Sequence, residues 1–198
     1  MTPFRRIEGP AAALRAANVD TDQLIPARFM KEPRAPQGYG RFLLRDLRDA
    51  EPDPLASAPV ALVAGRNFGC GSSREAAVYA LVDFGIRCVI APSFGDIFAG
   101  NAANNGLLAA TISEADAATL DAWLGAGPRT LSVDLETRRI AGDGLALGFA
   151  IDDVTRAKLL NGWDDIDLTE SHAAAVAAFA EAYAAARPWA RPADSDNR

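Results

Sequence analysis

Cysteine is scarce in this sequence of 198 residues, where Cys70 and Cys88 stand alone. Neither their number nor their spacing supports a disulfide framework or a zinc site. Cys88, inside Ile86-Arg87-Cys88-Val89-Ile90, reads as an inert strand residue. Cys70 lies between two glycines and is less easily placed. Histidine is scarcer still, with His172 the single example. Ser-His or Cys-His machinery needs an orienting partner that the sequence does not offer, so His172 is read as an ordinary surface or core side chain. Excess positive charge is missing as well. A formal net charge of -6 argues against a nucleic-acid or anionic-membrane surface, both of which reward clustered Lys and Arg. No apolar run approaches the roughly 20 residues of a membrane span. Met1-Thr2-Pro3-Phe4-Arg5-Arg6 is not followed by the apolar stretch of a signal peptide, so a cytoplasmic protein is expected. The nucleotide-binding spacings G-x-x-x-x-G-K-[ST] and G-x-G-x-x-G are absent.

About half of the residues are apolar, and a chain of this length buries one good core. A single domain over residues 1–190 is expected, with a long loop at about 30–56 and a polar, disordered tail over 191–198. The stretch that organises it is Gly65-Arg66-Asn67-Phe68-Gly69-Cys70-Gly71-Ser72-Ser73-Arg74-Glu75. It joins the apolar segment Pro59–Ala64 to the helix-forming run Ala76–Val82. Its glycines let the backbone take positive φ and approach a ligand without a Cβ. Ser72, Ser73 and Arg74 fall where a helix begins, and unpaired amides with the positive end of the dipole favour an anion there. A second reading stands beside this one: Ser72 with Glu75 matches S-x-x-E, a capping box in which the serine merely satisfies the helix.

The remaining pattern is strand and helix in alternation. A short strand is expected over residues 4–8, with Gly9-Pro10 as a turn. Asp20-Thr21-Asp22 is read as helix or turn capping rather than as a metal site. From Met30 to Pro54 prolines and glycines mark a long exposed excursion, within which Leu43, Leu44 and Leu47 share one face of a short helix. Strands near 59–64, 86–91 and 106–111 separate a helix from Ser73 and a helix or turn over 95–104, so a parallel or mixed sheet with helices follows. Ser113 opens another helix that Gly125 or Gly127 ends, and three short antiparallel strands follow within 130–150 around Gly142-Asp143-Gly144. The last helix, Thr169–Arg187, carries Val176, Phe179 and Tyr183 at helical spacing as a packing stripe, and Pro188 stops it.

The loop GRNFGCGSSRE closely resembles that of the swivelling domain of the aconitase superfamily. Asn18-Val19-Asp20-Thr21-Asp22-Gln23-Leu24-Ile25-Pro26-Ala27-Arg28-Phe29, Val89–Phe98 and Leu159–Ile166 resemble, in order, three further signatures of the small subunits of 3-isopropylmalate dehydratase. The resemblance implies an α/β fold, a swivelling β/β/α domain like the aconitase C-terminal domain, with a central mixed sheet flanked by helices. It implies a hydro-lyase that isomerises 2-isopropylmalate and 3-isopropylmalate in leucine biosynthesis. By motif position Ser72 corresponds to the catalytic base, and Ser73, Arg74 and Arg28 to substrate-binding residues. The family's Lewis acid is a 4Fe-4S cluster. Two cysteines far apart do not supply one, so a separate large subunit is expected to hold it, with none bound by this chain alone.

Ala76, Val78 and Tyr79 stand where the family usually has histidine, proline and tryptophan, and Gly100–Gly106 also differs from the commonest version. A related hydratase for another substituted malate, maleate or homoaconitate is therefore an alternative, as is a non-catalytic small-anion module. In the family the excursion closes over substrate and touches the partner. Phe29, Met30, Phe42 and Leu43 would form an apolar pocket for an isopropyl group, whereas Lys31 or Arg34 would serve a third carboxylate.

Overall fold

The computed structural model describes residues 1–48, 53–125 and 129–190. It divides into two compact units, Met1–Asp164 and Asp165–Arg198. The first contains β1 (Arg6–Leu14), α1 (Thr21–Leu24), α2 (Arg45–Arg48), β2 (Ala61–Ala64), α3 (Glu75–Phe84), β3 (Cys88–Ala91), α4 (Asp96–Asn104), β4 (Leu108–Thr111) and α5 (Glu114–Leu124). These are followed by β5 (Arg129–Asp134), β6 (Arg139–Gly142), β7 (Leu145–Gly148) and α6 (Asp153–Asn161). Seven strands make one sheet in the order β4-β3-β2-β1-β5-β6-β7. The β4-β3-β2-β1 half is parallel, and β1-β5-β6-β7 pair antiparallel, so the expected mixed α/β sheet is formed.

All four residues of β2 and all four of β3 are buried, as strands covered on both faces must be. Alternation sends Leu62 and Ala64 to one core with Ala77, Val78 and Leu81 of α3, and Ala61 and Val63 to another with Leu120 and Leu124 of α5. The sheet is thus a layer between two helical faces.

β1 corrects the expectation of a short strand and a turn at Gly9-Pro10, for both residues lie within it. Pro10 is tolerated because pairing with β2 begins only at Ala11, while the Pro10 carbonyl accepts from Val60 N at 2.9 Å. Gly9 is needed there: a Cβ would stand 2.8 Å from Val60 Cγ2. The excursion is likewise more than an exposed loop, since Gly40, Leu43, Leu44 and Leu55 are buried. The expected leucine helix is replaced by a 3-10 turn over Gly40–Phe42, Leu44 at φ 50° and α2.

The second unit holds α7 (Asp165–Glu170) and α8 (Ala173–Ala186). The single helix expected over 169–187 is therefore interrupted, with His172 at the N-cap of α8. Within this unit Val176 is 52% and Phe179 68% exposed, and α8 has no buried residue. The tail at 191–198 lies outside the described residues, as does Gly127.

Candidate active site

The site lies at the carboxyl ends of the parallel strands, where open α/β sheets offer their crevices. The loop after β2 threads between the segments that follow β1 and β3. On one side Asn18 N donates to Arg66 O at 2.9 Å, Gly69 N to Val19 O at 2.8 Å and Thr21 N to Cys70 O at 3.0 Å. On the other, Phe68 N donates to Ser93 O at 3.1 Å and Gly95 N to Phe68 O at 2.9 Å. The N-terminal signature and the glycine-rich loop, some fifty residues apart in the chain, are therefore one built structure. Phe68, Phe94 and Phe98 pack beneath it, with Phe68 and Phe98 edge to face at 5.3 Å. Gly69 (φ +73°) is obligatory, because a Cβ would fall 2.2 Å from Phe98 Cγ.

The geometry bears on the capping reading of Ser72. α3 starts at Glu75 with Arg74 as its N-cap, and no side chain caps it. The S-x-x-E capping box, and the helix start expected at Ser73, are not formed. Instead Arg74 N donates to Ser72 O at 2.8 Å in a turn that holds both serines outside the helix, exposed. The Glu75 carboxylate accepts from Asn105 Nδ2 at 2.8 Å. Ser72 Oγ lies 3.1 Å from the hydroxyl of Thr21, and Ser73 makes no side-chain hydrogen bond among the described residues. Asp20 is the cap that the sequence suggested: its carboxylate accepts from Gln23 N at 2.8 Å, and Gln23 Oε1 accepts from Asp20 N at 3.0 Å.

Both candidate substrate arginines are engaged by aspartates. Arg74 pairs with Asp22 and Arg28 with Asp46, whose carboxyl is held below the usual range by the Arg28 hydrogen bonds. Asp22, Arg28 and Asp46 line a cavity of about 480 Å³ with Asp20, Gln23 and Leu47. Arg74 reaches its edge through Asp22. Sequence reasoning missed Thr21 as a partner of Ser72, and Asp46 altogether. Asp46 is eighteen positions from Arg28 in an irregular segment, and no local pattern signals the pairing.

The excursion supplies some of its expected residues and withholds others. Phe29 and Phe42 stack at 4.3 Å, with Arg28 over the Phe29 ring at 4.5 Å. Met30 is 40% exposed and Lys31 is exposed. Leu43 is a correction: it is fully buried in the core and is not available to line a pocket. Arg34 is committed elsewhere. It donates from Nε and Nη2 to Asp83 at 2.9 and 2.7 Å and lies 3.9 Å over the Tyr79 ring. Asp83 also accepts from Tyr39 N at 2.8 Å. Burial alone would raise its carboxyl, but these hydrogen bonds outweigh it and hold it below the usual range.

The third signature, Leu159–Ile166, contains a helix stop. Gly162 (φ 72°) ends α6, its N–H and that of Trp163 return to Leu159 O and Lys158 O, and its carbonyl accepts the N-terminal ammonium at 2.9 Å. The cysteines do not fit an iron–sulfur cluster, which takes several thiolates. Cys88 is fully buried in β3, where burial pushes its thiol up, and Cys70 is half-buried in the loop. Among the described residues no group of three or more His, Cys, Asp or Glu side chains is arranged to hold a metal.

Comparison with known proteins agrees with this geometry. Residues 45–115 match the aconitase C-terminal domain family. The chain is 45% identical to the 3-isopropylmalate dehydratase small subunit of Mesorhizobium japonicum, over 96% of this chain and all of that one. It is 46% identical, with the same coverage, to the small subunit of Methylobacterium radiotolerans. It is 44% identical to that of Rubrobacter xylanophilus, over 87% of this chain and 90% of the relative. A crystal structure of 3-isopropylmalate dehydratase from Methanocaldococcus jannaschii superposes with a TM-score of 0.66 at 26% identity, covering 86% of this chain and 98% of the other. With nearly full-length identity of this order and the same fold, the chain belongs to the family of 3-isopropylmalate dehydratase small subunits.

Proposed function

We propose that this chain is the small subunit of a heteromeric hydro-lyase that interconverts 2-isopropylmalate and 3-isopropylmalate by dehydration and rehydration in leucine biosynthesis. Its partner is a large subunit, to which we assign the 4Fe-4S cluster, since the described residues of this chain offer no donor set for it. The observation that carries the site assignment is Ser72, exposed on a loop tied down by backbone hydrogen bonds, free of any capping duty and two residues before Arg74.

Serine is a poor base unless its anion is stabilised. Here the uncapped first turn of α3, its dipole and the Arg74 guanidinium all favour negative charge at the loop. Ser72 as alkoxide takes the weakly acidic C–H proton, while Arg74 and Arg28 hold the substrate carboxylates, each exchanging its aspartate for a ligand oxygen. Ser73 offers an uncommitted hydroxyl beside them. Engagement of Arg34 by Asp83 and Tyr79 removes one of the two cations that a third carboxylate would use, which favours a dicarboxylate over a tricarboxylate. The stacked Phe29–Phe42 pair, with Met30 exposed nearby in sequence, supplies apolar surface for the alkyl group.

The test is Ser72→Ala in the enzyme reconstituted with its large subunit. Turnover should fall by roughly 10² to 10⁴, the usual contribution of a positioned base, with KM nearly unchanged. Near-normal kcat would overturn the assignment.

A further inference from the structure

Thr21 is one of only two polar residues buried among those described, at 1% exposure. Its hydroxyl carries a single proton and faces two acceptors on one residue: Ser72 O at 3.2 Å and Ser72 Oγ at 3.1 Å. The backbone fixes this approach, because Thr21 N donates to the carbonyl of Cys70 and the first turn of α1 is locked by the Asp20–Gln23 capping box. We propose that Thr21 is a positioning residue whose hydroxyl changes acceptor as Ser72 gains and loses its proton. The inference rests on the reading of Ser72 as base.

When Ser72 is neutral, its Oγ–H donates to Thr21 Oγ1 and the Thr21 proton goes to the Ser72 carbonyl. When Ser72 is the alkoxide, the Thr21 hydroxyl turns about Cβ–Oγ1 and donates to Ser72 Oγ. The chemical step then balances without Thr21 giving up its proton. The substrate C–H bond breaks and its electron pair becomes the C=C bond as the neighbouring C–OH bond breaks and hydroxide leaves with that bond's electrons, while the proton forms the Ser72 O–H. On rehydration hydroxide and the same proton add back across the double bond and the alkoxide is restored. A hydrogen bond to an ionised acceptor is about twice as strong as a neutral one, and burial of the donor excludes competing water. Thr21 therefore stabilises the ionised serine more than the neutral one. A merely structural threonine would satisfy the Ser72 carbonyl and have no preference between the two states.

The charged and titratable groups around the pair are Arg74 with its partner Asp22, Asp20 at the cap of α1, Glu75 held by Asn105, and Cys70 on the loop itself. None of them hydrogen-bonds Ser72 Oγ among the described residues. Among the described residues the Thr21 hydroxyl is its one side-chain partner.

The experiment uses the complex with the large subunit and compares Thr21→Val, which removes the hydroxyl, with Thr21→Ser, which keeps it. Thr21→Val should lower kcat by about 10- to 100-fold with KM within about twofold, and should move the limb of the kcat–pH profile that reports the base upward by about one pH unit or more. Thr21→Ser should return both towards the parent. In the Ser72→Ala background, Thr21→Val should cost nothing further. A Thr21→Val enzyme with parental kcat and pH profile would overturn the proposal, as would a kcat loss that Thr21→Ser does not repair. If Thr21→Val does not assemble, Thr21→Ala deletes the same hydroxyl without placing a second methyl against Ser72, and the same criteria apply. Full activity of Ser72→Ala sinks the base assignment itself, whereas an inactive Ser72→Ala beside an unaltered Thr21→Val sinks this inference alone.

Discussion

At the level of single residues, the site is a set of charges already spoken for. Arg74 and Arg28 face Asp22 and Asp46, and both partners of the second pair are 56% exposed. Exposed ion pairs contribute little, so in the proposed role a substrate carboxylate would displace the Arg28–Asp46 pair at small cost. Asp46→Asn should therefore lower KM of the reconstituted enzyme by no more than about fivefold with kcat unchanged. A marked rise in KM would mean instead that Asp46 orients Arg28 for substrate. The serine–arginine triplet was legible in the sequence because its residues are contiguous on one loop. The aspartates were not: Arg74 and Asp22 are fifty-two positions apart, Arg34 and Asp83 forty-nine. Thr21 was hidden differently, inside a D-x-D pattern that drew the eye to its neighbours.

Among the elements, the excursion before β2 is attached to α3 in part through one carboxylate. Asp83 receives Arg34 and the amide of Tyr39, and Gly40 lets the chain approach so closely that a Cβ would lie 2.5 Å from Phe84 N. The side chain of Asp83 is only 15% exposed. Asp83→Asn should cost about 0.5–1 kcal/mol and lower Tm by a few degrees. Because the folded carboxyl is depressed, this contribution is fully present above the unfolded value of about 3.9 and is lost as pH falls through the folded one. Thermal melts of parent and variant should differ near neutrality and converge in acid once pH has fallen below the depressed folded value, and a gap that persists there would exclude the ionised carboxylate as its source. Element order was readable from hydrophobic runs in the parallel half, where β2 and β3 are wholly buried. β1 was not, because Gly9-Pro10 signals a turn locally and only the lateral neighbours, β2 on one side and β5 on the other, make it a strand. Leu43 failed for the same reason: its place in the core is set by α3, not by its own segment.

For the molecule as a whole, the question is which chain holds the metal chemistry. A 4Fe-4S cluster needs thiolates. Cys88 is sealed in the core on the α5 side of the sheet, and Cys70 belongs to a loop whose backbone is already committed to Val19 and Thr21. The relatives' name, small subunit, implies a large-subunit partner, and the proposed function gives the cluster to it. The isolated chain should accordingly be colourless and without turnover, and should acquire turnover on anaerobic mixing with that subunit. The sharper measurement is iron content. Cys70→Ser should leave the iron bound per reconstituted complex unchanged, because its loop is held by backbone hydrogen bonds that the substitution does not touch. Loss of iron in that variant, or visible absorbance from the pure small subunit loaded with iron and sulfide, would move part of the cluster's ligand set onto this chain and overturn the division of labour. Ser72→Ala assayed in parallel gives the contrast: full iron with turnover gone separates proton removal, assigned here, from the metal centre assigned to the partner.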